Sequence, residues 1–166
     1  MGKPIPSPFS PESHDHHACI ASALAQAKAI CAAQGGRLTP QRQQVLELVW
    51  QEHKPVGAYE LLERLREAGC RAAPPTVYRA LEFLRAHGLI HRIESLNAFT
   101  GCSAPGTAHH GQFLVCSGCQ RVAELDEPAI SGQLDASAQS LGFEVEHQTV
   151  EISGLCPNCR NCQHDG

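Results

Sequence analysis

Apolar positions in the first half of the chain recur at the spacing of amphipathic helices. Residues 19–34 are rich in alanine, and Pro40 follows a capping threonine as a first helical residue. Two further segments, ending at Gly69 and Gly88, each place apolar side chains at positions i, i+3, i+4 and i+7. The pattern predicts four helices, with Thr76 as the cap of the fourth. Their apolar faces carry Ile20, Leu24, Ile30 and Cys31; Val45, Leu46, Val49 and Trp50; Ala58, Leu61, Leu62 and Leu65; and Val77, Ala80, Leu81 and Leu84.

The remaining apolar runs are short and predict strands. Residues 89–93 and 98–101 are joined by Ser95-Leu96-Asn97 and predict a β-hairpin. A later segment is typical of a helix, and the one after it alternates imperfectly between apolar and polar residues. The second half of the chain therefore predicts, in order, strands at 112–116 and 121–125, a helix at 128–141 and a strand at 143–152.

The order of these elements predicts an α+β protein that begins with a winged helix-turn-helix. In that arrangement the fourth helix enters the major groove of DNA, and the hairpin lies on the DNA backbone. Free N–H groups at the start of the fourth helix would suit a phosphate. The alternative is a helical bundle whose charges are simply solvated. The candidate DNA contacts are Arg37, Tyr59, Thr76, Tyr78 and Arg79.

The distribution of charge along the chain agrees with DNA binding better than the net charge of the whole chain does. The net charge is −4, but residues 37–92 carry nine Lys/Arg against six Asp/Glu, an excess of +3. Residues 93–166 carry two Arg against nine Asp/Glu, which gives −7. A basic segment is thus followed by an acidic one, although ordinary variation of surface charge produces the same pattern.

Nine cysteines occur in a chain that shows neither a signal peptide nor an apolar run of membrane-spanning length. We therefore expect a cytoplasmic protein with reduced thiols and no membrane partner. Cys116 and Cys119 form one Cys-x-x-Cys pair, and Cys156 and Cys159 form another. Four thiolates close a tetrahedral shell, so these pairs predict a structural zinc site. Cys162 could compete as a ligand, and a redox function is disfavoured because strands flank the first pair.

Three features together resemble the ferric uptake regulator family, and within it the zinc uptake regulator branch. They are the runs Arg37–Arg42 and Pro74–Leu81 and the two Cys-x-x-Cys pairs. The resemblance extends over residues 20–160. It implies a homodimer that binds an AT-rich palindromic operator in double-stranded DNA when metal is bound, and that represses zinc-uptake genes.

The resemblance also implies a domain organisation. We expect a winged-helix DNA-binding domain at 18–95, a hinge at 96–106 and a small α/β dimerisation domain with the four-cysteine zinc site at 107–160. Residues 1–17, rich in Pro, Ser and His, are expected to be a disordered tail, and residues 161–166 a second tail.

A regulatory metal site near the hinge is a further implication of the resemblance. The family's ligands correspond to His91, Cys102, Glu124 and a histidine that is either His109 or His110. One sulfur, two imidazoles and one carboxylate suit zinc, so we expect two Zn²⁺ per subunit. An iron- or peroxide-responsive regulator is the alternative within the family, but those branches carry extra His and Asp where this chain does not.

Two other classes of protein remain as alternatives. A zinc-dependent hydrolase or deaminase needs an open coordination position and a general base. The deaminase signature is absent, because Pro157 follows Cys156 rather than preceding it. A non-enzymatic zinc-containing interaction module would use the basic half for a protein partner. We therefore expect a regulator and not an enzyme.

Overall fold

The computed structural model describes residue 9, residues 16–52 and residues 54–162. Helices dominate the first half of the chain and strands the second. No helix in these ranges is long and apolar enough to cross a membrane. The elements are α1 (His16–Ala33), α2 (Pro40–Trp50), α3 (Ala58–Glu67), α4 (Pro74–Ala86), β1 (Ile90–Ile93), a 3-10 turn (Glu94–Leu96), β2 (Ala98–Gly101), β3 (Gly111–Cys116), β4 (Val122–Leu125), α5 (Pro128–Ser140), β5 (Thr149–Gly154) and α6 (Pro157–Cys162).

The apolar faces predicted for α2, α3 and α4 meet in one core. Leu46, Leu61, Leu65, Leu81 and Leu84 are fully buried within it. Burial of each such side chain contributes about 1.5–3 kcal/mol relative to exposure. The strands β1 and β2 then pair antiparallel as the predicted hairpin. The N-terminal half is therefore the expected winged helix-turn-helix.

The second half contains a three-stranded sheet in the order β4-β3-β5. β4 pairs antiparallel with β3 across the Cys-x-x-Cys turn, and β5 pairs parallel with β3 after the α5 crossover. The parallel pairing requires such a crossover, because a tight turn can join only antiparallel strands. The overall α+β architecture is the one that the sequence predicts.

The start of α4 differs from the prediction. The helix begins at Pro74, and Ala73 rather than Thr76 is its N-cap. Prolines are well accommodated in a first helical turn, because their missing N–H has no helical partner there. The amide groups of Thr76 and Val77 both donate to the carbonyl of Ala73. The first turn therefore offers no free N–H group for a phosphate, contrary to our prediction.

The last strand is also shorter than predicted. Only Thr149–Gly154 pairs with β3, whereas residues 143–148 form no strand. All six residues of β3 are already paired with Thr149–Gly154. The residues before Thr149 therefore have no strand to pair with, although their apolar and polar side chains alternate. Of the predicted tail at 1–17, all but Phe9, His16 and His17 lie outside the described residues, and His16 already begins α1. Residues 163–166 of the second tail also lie outside them.

Candidate metal centres and DNA-binding surface

The two Cys-x-x-Cys pairs lie side by side because of the sheet topology. β3 and β5 run parallel, and their register pairs Cys116 with Gly154, so both strands deliver their cysteines at the same end of the sheet. The four sulfur atoms of Cys116, Cys119, Cys156 and Cys159 lie within 4.8 Å of one another. The predicted four-cysteine cluster is therefore assembled from segments about 40 residues apart in the chain.

The surroundings of the four sulfurs fit a bound metal. The amide of Cys156 donates to Cys116 Sγ at 3.3 Å, and this hydrogen bond lowers the pKa of that thiol to about 6 although burial opposes the shift. A Cβ atom at Gly118 would lie 3.0 Å from Cys159 Sγ, a tighter approach than most Cβ atoms make, so a larger residue there would require the sulfur to shift. Four adjacent thiols, one of them readily ionised, are a donor set that suits Zn²⁺ in a structural site.

A second cluster of donor atoms lies between the β1–β2 hairpin, which is the wing, and the three-stranded β4-β3-β5 sheet, which we call the C-terminal sheet. Glu124 Oε1 is 2.7 Å from His91 Nε2 and 2.8 Å from His109 Nε2. Cys102 Sγ lies 3.4 Å from the same nitrogen of His109. All four donor atoms lie within 4.8 Å of one another. They come from β1, the segment after β2, the segment before β3, and β4, so the site spans both halves of the chain.

Groups around the second cluster orient its donors. Glu124 Oε2 accepts hydrogen bonds from the Ser103 amide at 2.8 Å and from the Ser103 hydroxyl at 2.6 Å, so Oε1 is left to face the cluster. His109 Nδ1 lies 2.9 Å from the carbonyl oxygen of Thr107. A proton on Nδ1 leaves the lone pair of Nε2 directed at the site, the arrangement found in most histidine–metal sites.

Burial and charge set the protonation states in the cluster. Burial raises the pKa of Glu124, but hydrogen bonds from His91 and Ser103 outweigh it and bring the pKa to about 2. Burial, reinforced by the negative charge of Glu124, raises the pKa of Cys102 to about 12. Burial alone would lower the pKa of His109. The Thr107 carbonyl and Glu124 outweigh that effect, so the pKa is raised. A carboxylate, two imidazoles and a thiol that loses its proton on metal binding form a donor set that fits Zn²⁺.

The structure separates the two adjacent histidines that the sequence left as alternatives. His109 belongs to the cluster, whereas His110 is exposed and lines an open groove of about 600 Å³ with Asp135 and His147. His147 is exposed, and its Nε2 lies 2.9 Å from Thr149 Oγ1. Neither His110 nor His147 is in either cluster.

The candidate DNA contacts lie at the surface of the N-terminal half. Tyr59 is 75% exposed and Tyr78 is 48% exposed, and both line a groove of about 400 Å³ between α3, α4 and the wing. Arg79 and Arg37 are exposed, and Thr76 is half-buried in the first turn of α4. The structure thus places Tyr59 of α3 and Tyr78 of α4 in one groove, with Arg37 on the separate loop before α2.

Sequence reasoning did not find Ser103 or the carbonyl of Thr107. Both contact members of the second cluster, Ser103 at Glu124 and Thr107 at His109. Serines and backbone carbonyls are too common in proteins for a sequence pattern to mark such a role. Only the position of Ser103, directly after a proposed ligand, could have pointed to it.

The sequence model described as the Ferric uptake regulator family matches residues 33–153. The zinc uptake regulation protein of Escherichia coli (strain K12) is 39% identical over 152 residues, which are 86% of this chain and 89% of that protein. A solved zinc uptake regulator complexed with zinc and DNA superimposes with a TM-score of 0.83 at 38% identity, covering 87% of this chain and 97% of that one.

Two crystal structures of the protein XcZur give a further comparison. The holo form superimposes with a TM-score of 0.79 at 45% identity, covering 84% of this chain and 98% of that one. The apo form reaches 0.50 at 44% identity, covering 85% and 97%. The structure is therefore more similar overall to the holo form than to the apo form. By its sequence and its fold, the chain belongs to the ferric uptake regulator family.

Proposed function

We propose that this protein is a zinc-responsive transcriptional regulator that binds DNA and represses zinc-uptake genes when it is loaded with zinc. The observation that carries the proposal is the cluster of His91, Cys102, His109 and Glu124 at the junction of the two halves. The relatives described as zinc uptake regulators, one of them solved with zinc and DNA, support the same function.

The location of the cluster explains how zinc would control DNA binding. His91 belongs to the wing, Cys102 to the segment that leaves it, and Glu124 to the C-terminal sheet. Holding these side chains around one ion fixes the orientation of the wing relative to the sheet. Without that restraint more orientations are populated, and DNA binding must then bear the cost of selecting one of them. The greater similarity to a holo form than to an apo form supports this coupling.

The DNA-binding surface would be centred on α4. Arg79 and Tyr78 project from its exposed face, and Tyr59 lies across the groove from it. In our proposal these three side chains contact the major groove and the adjacent backbone. Arg37 and Thr76 are proposed as flanking contacts. The operator is proposed to be an AT-rich palindrome, which matches a two-fold symmetric protein.

A homodimer is the proposed assembly. β5 is an edge strand of its sheet, and Ile152 and Leu155 are exposed on and just after it. Leu134, Leu141 and Phe143, on and after α5, add further exposed apolar surface. Exposed apolar patches beside an open strand edge are typical of interaction surfaces. A second copy would cover this surface and place two recognition helices on successive turns of the DNA.

We further propose two zinc ions per subunit. One would lie in the four-cysteine cluster, and the other in the cluster of His91, Cys102, His109 and Glu124, which we call the hinge cluster. The first would stabilise the C-terminal fold, since its ligands join the ends of β3 and β5. The second would be regulatory. The corresponding domain boundaries are 18–95 for the winged-helix domain, 96–106 for the hinge and 107–160 for the dimerisation domain.

The alternatives are less well supported. An iron or peroxide sensor would use oxygen and nitrogen ligands, whereas the hinge cluster contains the buried thiol of Cys102. A hydrolase or deaminase needs an open metal position, and both clusters supply four protein ligands. The relatives are named as regulators, not as enzymes. A protein-interaction module would not explain a regulatory cluster at the hinge.

The test is a DNA-binding titration across buffered free metal concentrations, with zinc, iron and manganese compared. The probe is a duplex selected from a random-sequence pool by the zinc-loaded protein. We expect half-maximal binding at a far lower free concentration of zinc than of the other two metals. Binding that is independent of metal, or that responds best to iron, would contradict the proposal.

A further inference from the structure

A carboxylate on β5 holds the turn of the wing. Glu151 Oε1 accepts the backbone N–H of Glu94 at 2.6 Å, and Glu151 Oε2 accepts that of Ser95 at 3.1 Å. These two amides open the 3-10 turn between β1 and β2. Because each oxygen takes one of two adjacent amides, the contact fixes the direction of the turn as well as its distance from the sheet. We call this contact the Glu151 fork.

The fork lies in the same row of the sheet as a ligand of the hinge cluster. Phe113 on the central strand pairs with Glu124 on one side and with Glu151 on the other. Directly paired residues project from the same face of a sheet, so both carboxylates face the wing. The ring of His91 packs edge-on against Phe113 between them, with the ring centroids 5.1 Å apart. Glu124 contacts the wing through His91 in the hinge cluster. Glu151 contacts it through hydrogen bonds to the backbone of the turn.

Apolar side chains close the space beside the fork. Ile93, the last residue of β1, is 0% exposed and packs with Phe113 and Val115 of β3. Leu96 and Val122 complete this cluster. Partial burial opposes ionisation of Glu151, but the hydrogen bonds from Ser95 and Glu94 outweigh it and lower its pKa. The carboxylate is therefore charged at neutral pH, the form that accepts hydrogen bonds most strongly.

We propose that Glu151 is a positioning residue, a metal-independent tie that holds the wing on the C-terminal sheet and thereby sets the free zinc concentration at which the hinge cluster fills. The proposal rests on the proposed function. It follows from the coupling of binding to a conformational equilibrium. Zinc binds the closed arrangement, in which the wing lies on the C-terminal sheet. Its apparent affinity is therefore the intrinsic affinity multiplied by the fraction of metal-free molecules that are closed. Loss of the fork lowers that fraction without removing a ligand.

The expected size of the effect follows from the two hydrogen bonds. Glu151 is half-buried, so each bond contributes within the ordinary net range. The two bonds together correspond to about 1–3 kcal/mol, so replacing Glu151 by alanine should raise the half-saturating free zinc by up to roughly 5- to 150-fold. Replacing it by glutamine should have a smaller effect, because one amide oxygen can still accept one of the two N–H groups.

The experiment uses the full chain with the four-cysteine zinc in place. Glu151→Ala, Glu151→Gln and the matched control Glu146→Ala are compared with wild type; Glu146 is exposed and lies in the segment before β5. Three quantities are measured: amide hydrogen exchange of residues 94 and 95 without zinc in the hinge site, zinc binding by chelator competition, and binding of the selected duplex at saturating zinc.

We expect faster exchange at residues 94 and 95 in Glu151→Ala, a raised zinc midpoint, and unchanged zinc stoichiometry and DNA affinity at saturation. Glu151→Gln should be intermediate, and Glu146→Ala should match wild type. The proposal fails if the zinc midpoint of Glu151→Ala equals that of Glu146→Ala, or if only the saturated DNA affinity falls. Absence of zinc-dependent DNA binding by wild type would instead overturn the proposed function, and the competition measurement would still test the fork.

Discussion

Replacement of Cys102 by serine tests the zinc assignment most directly. The thiol is 1% exposed and is the one sulfur donor of the hinge cluster. Serine keeps the size of the side chain, but its hydroxyl does not ionise in the accessible pH range. The four-cysteine cluster is a separate set of ligands, so the structural zinc, the fold and any dimer should be retained. In our proposal the variant therefore removes one bond to the regulatory zinc and little else.

The expected loss of zinc affinity is large. Removing a group that only orients a ligand typically weakens metal binding about 10- to 100-fold. Loss of a ligand itself should exceed that, so we expect the free zinc needed for half-saturation to rise by at least about 100-fold. The free zinc concentration at half-maximal DNA binding should rise in parallel, since we propose that the same site controls DNA binding. Weak, zinc-independent binding through the basic segment should persist.

The pH dependence of zinc affinity gives a second, independent test of Cys102. The pKa of Cys102 is raised to about 12, so between pH 7 and 9 its thiol is protonated without metal and must release a proton to bind zinc. Raising the pH removes that competing proton and strengthens binding, by about tenfold per pH unit from this group. Glu124, with a pKa of about 2, is ionised throughout and adds no dependence.

Chelator-buffered zinc titrations of wild type and Cys102→Ser at several pH values, with metal content measured on the same samples, provide both quantities. The slope of log affinity against pH should be smaller by about one in the variant. If the variant fills at the same free zinc as wild type, Cys102 is not a ligand. If the affinity falls but the slopes agree, the thiol does not bind as a thiolate, and the chemical basis for a zinc site is wrong.

Three further predictions use matched comparisons. His109→Ala should lose the regulatory zinc in chelator competition, whereas His110→Ala should bind like wild type; equal behaviour of the two variants would contradict the placement of His109 in the cluster. Arg79→Ala should weaken binding to the selected duplex by about 1–3 kcal/mol with zinc content unchanged, and an unaltered affinity would mean that α4 is not the recognition helix. Cys119→Ser should unfold the C-terminal half in circular dichroism and thermal melts, since structural zinc sites contribute on the order of 10 kcal/mol to folding; a fully folded variant without that zinc would refute the structural role.

Features with a local cause were predictable from the sequence. The helical faces of α2, α3 and α4 follow from apolar periodicity, because an amphipathic helix must bury its apolar stripe wherever it lies in the fold. Cys116, Cys119, Cys156 and Cys159 could be grouped in advance, because two thiolates at this spacing can bind one metal and four complete its shell. Both predictions depend on nearby residues and on chemistry that tolerates few substitutes.

Features that depend on strand register needed the tertiary structure. Whether His109 or His110 joins the cluster depends on how the chain enters β3, and the pairing of Phe113 with Glu124 fixes that entry. The short β5 likewise reflects the partners that β3 offers, not the propensity of its segment. The early start of α4 has a local cause, because prolines are well accommodated in a first helical turn.

Contacts between the two halves were the least visible in the sequence. Ser103 orients Glu124 across the hinge, and Glu151 holds two backbone amides of a distant turn. Nearly every residue carries a backbone amide, so a contact to one leaves no mark in the sequence. A single serine or glutamate also has many possible roles. Local patterns and cysteine spacing were therefore enough to predict the elements and the four-cysteine cluster, and the resemblance of the motifs indicated the family. The groups that join the halves became visible only in the folded chain, because those contacts depend on the relative placement of elements that are far apart in sequence.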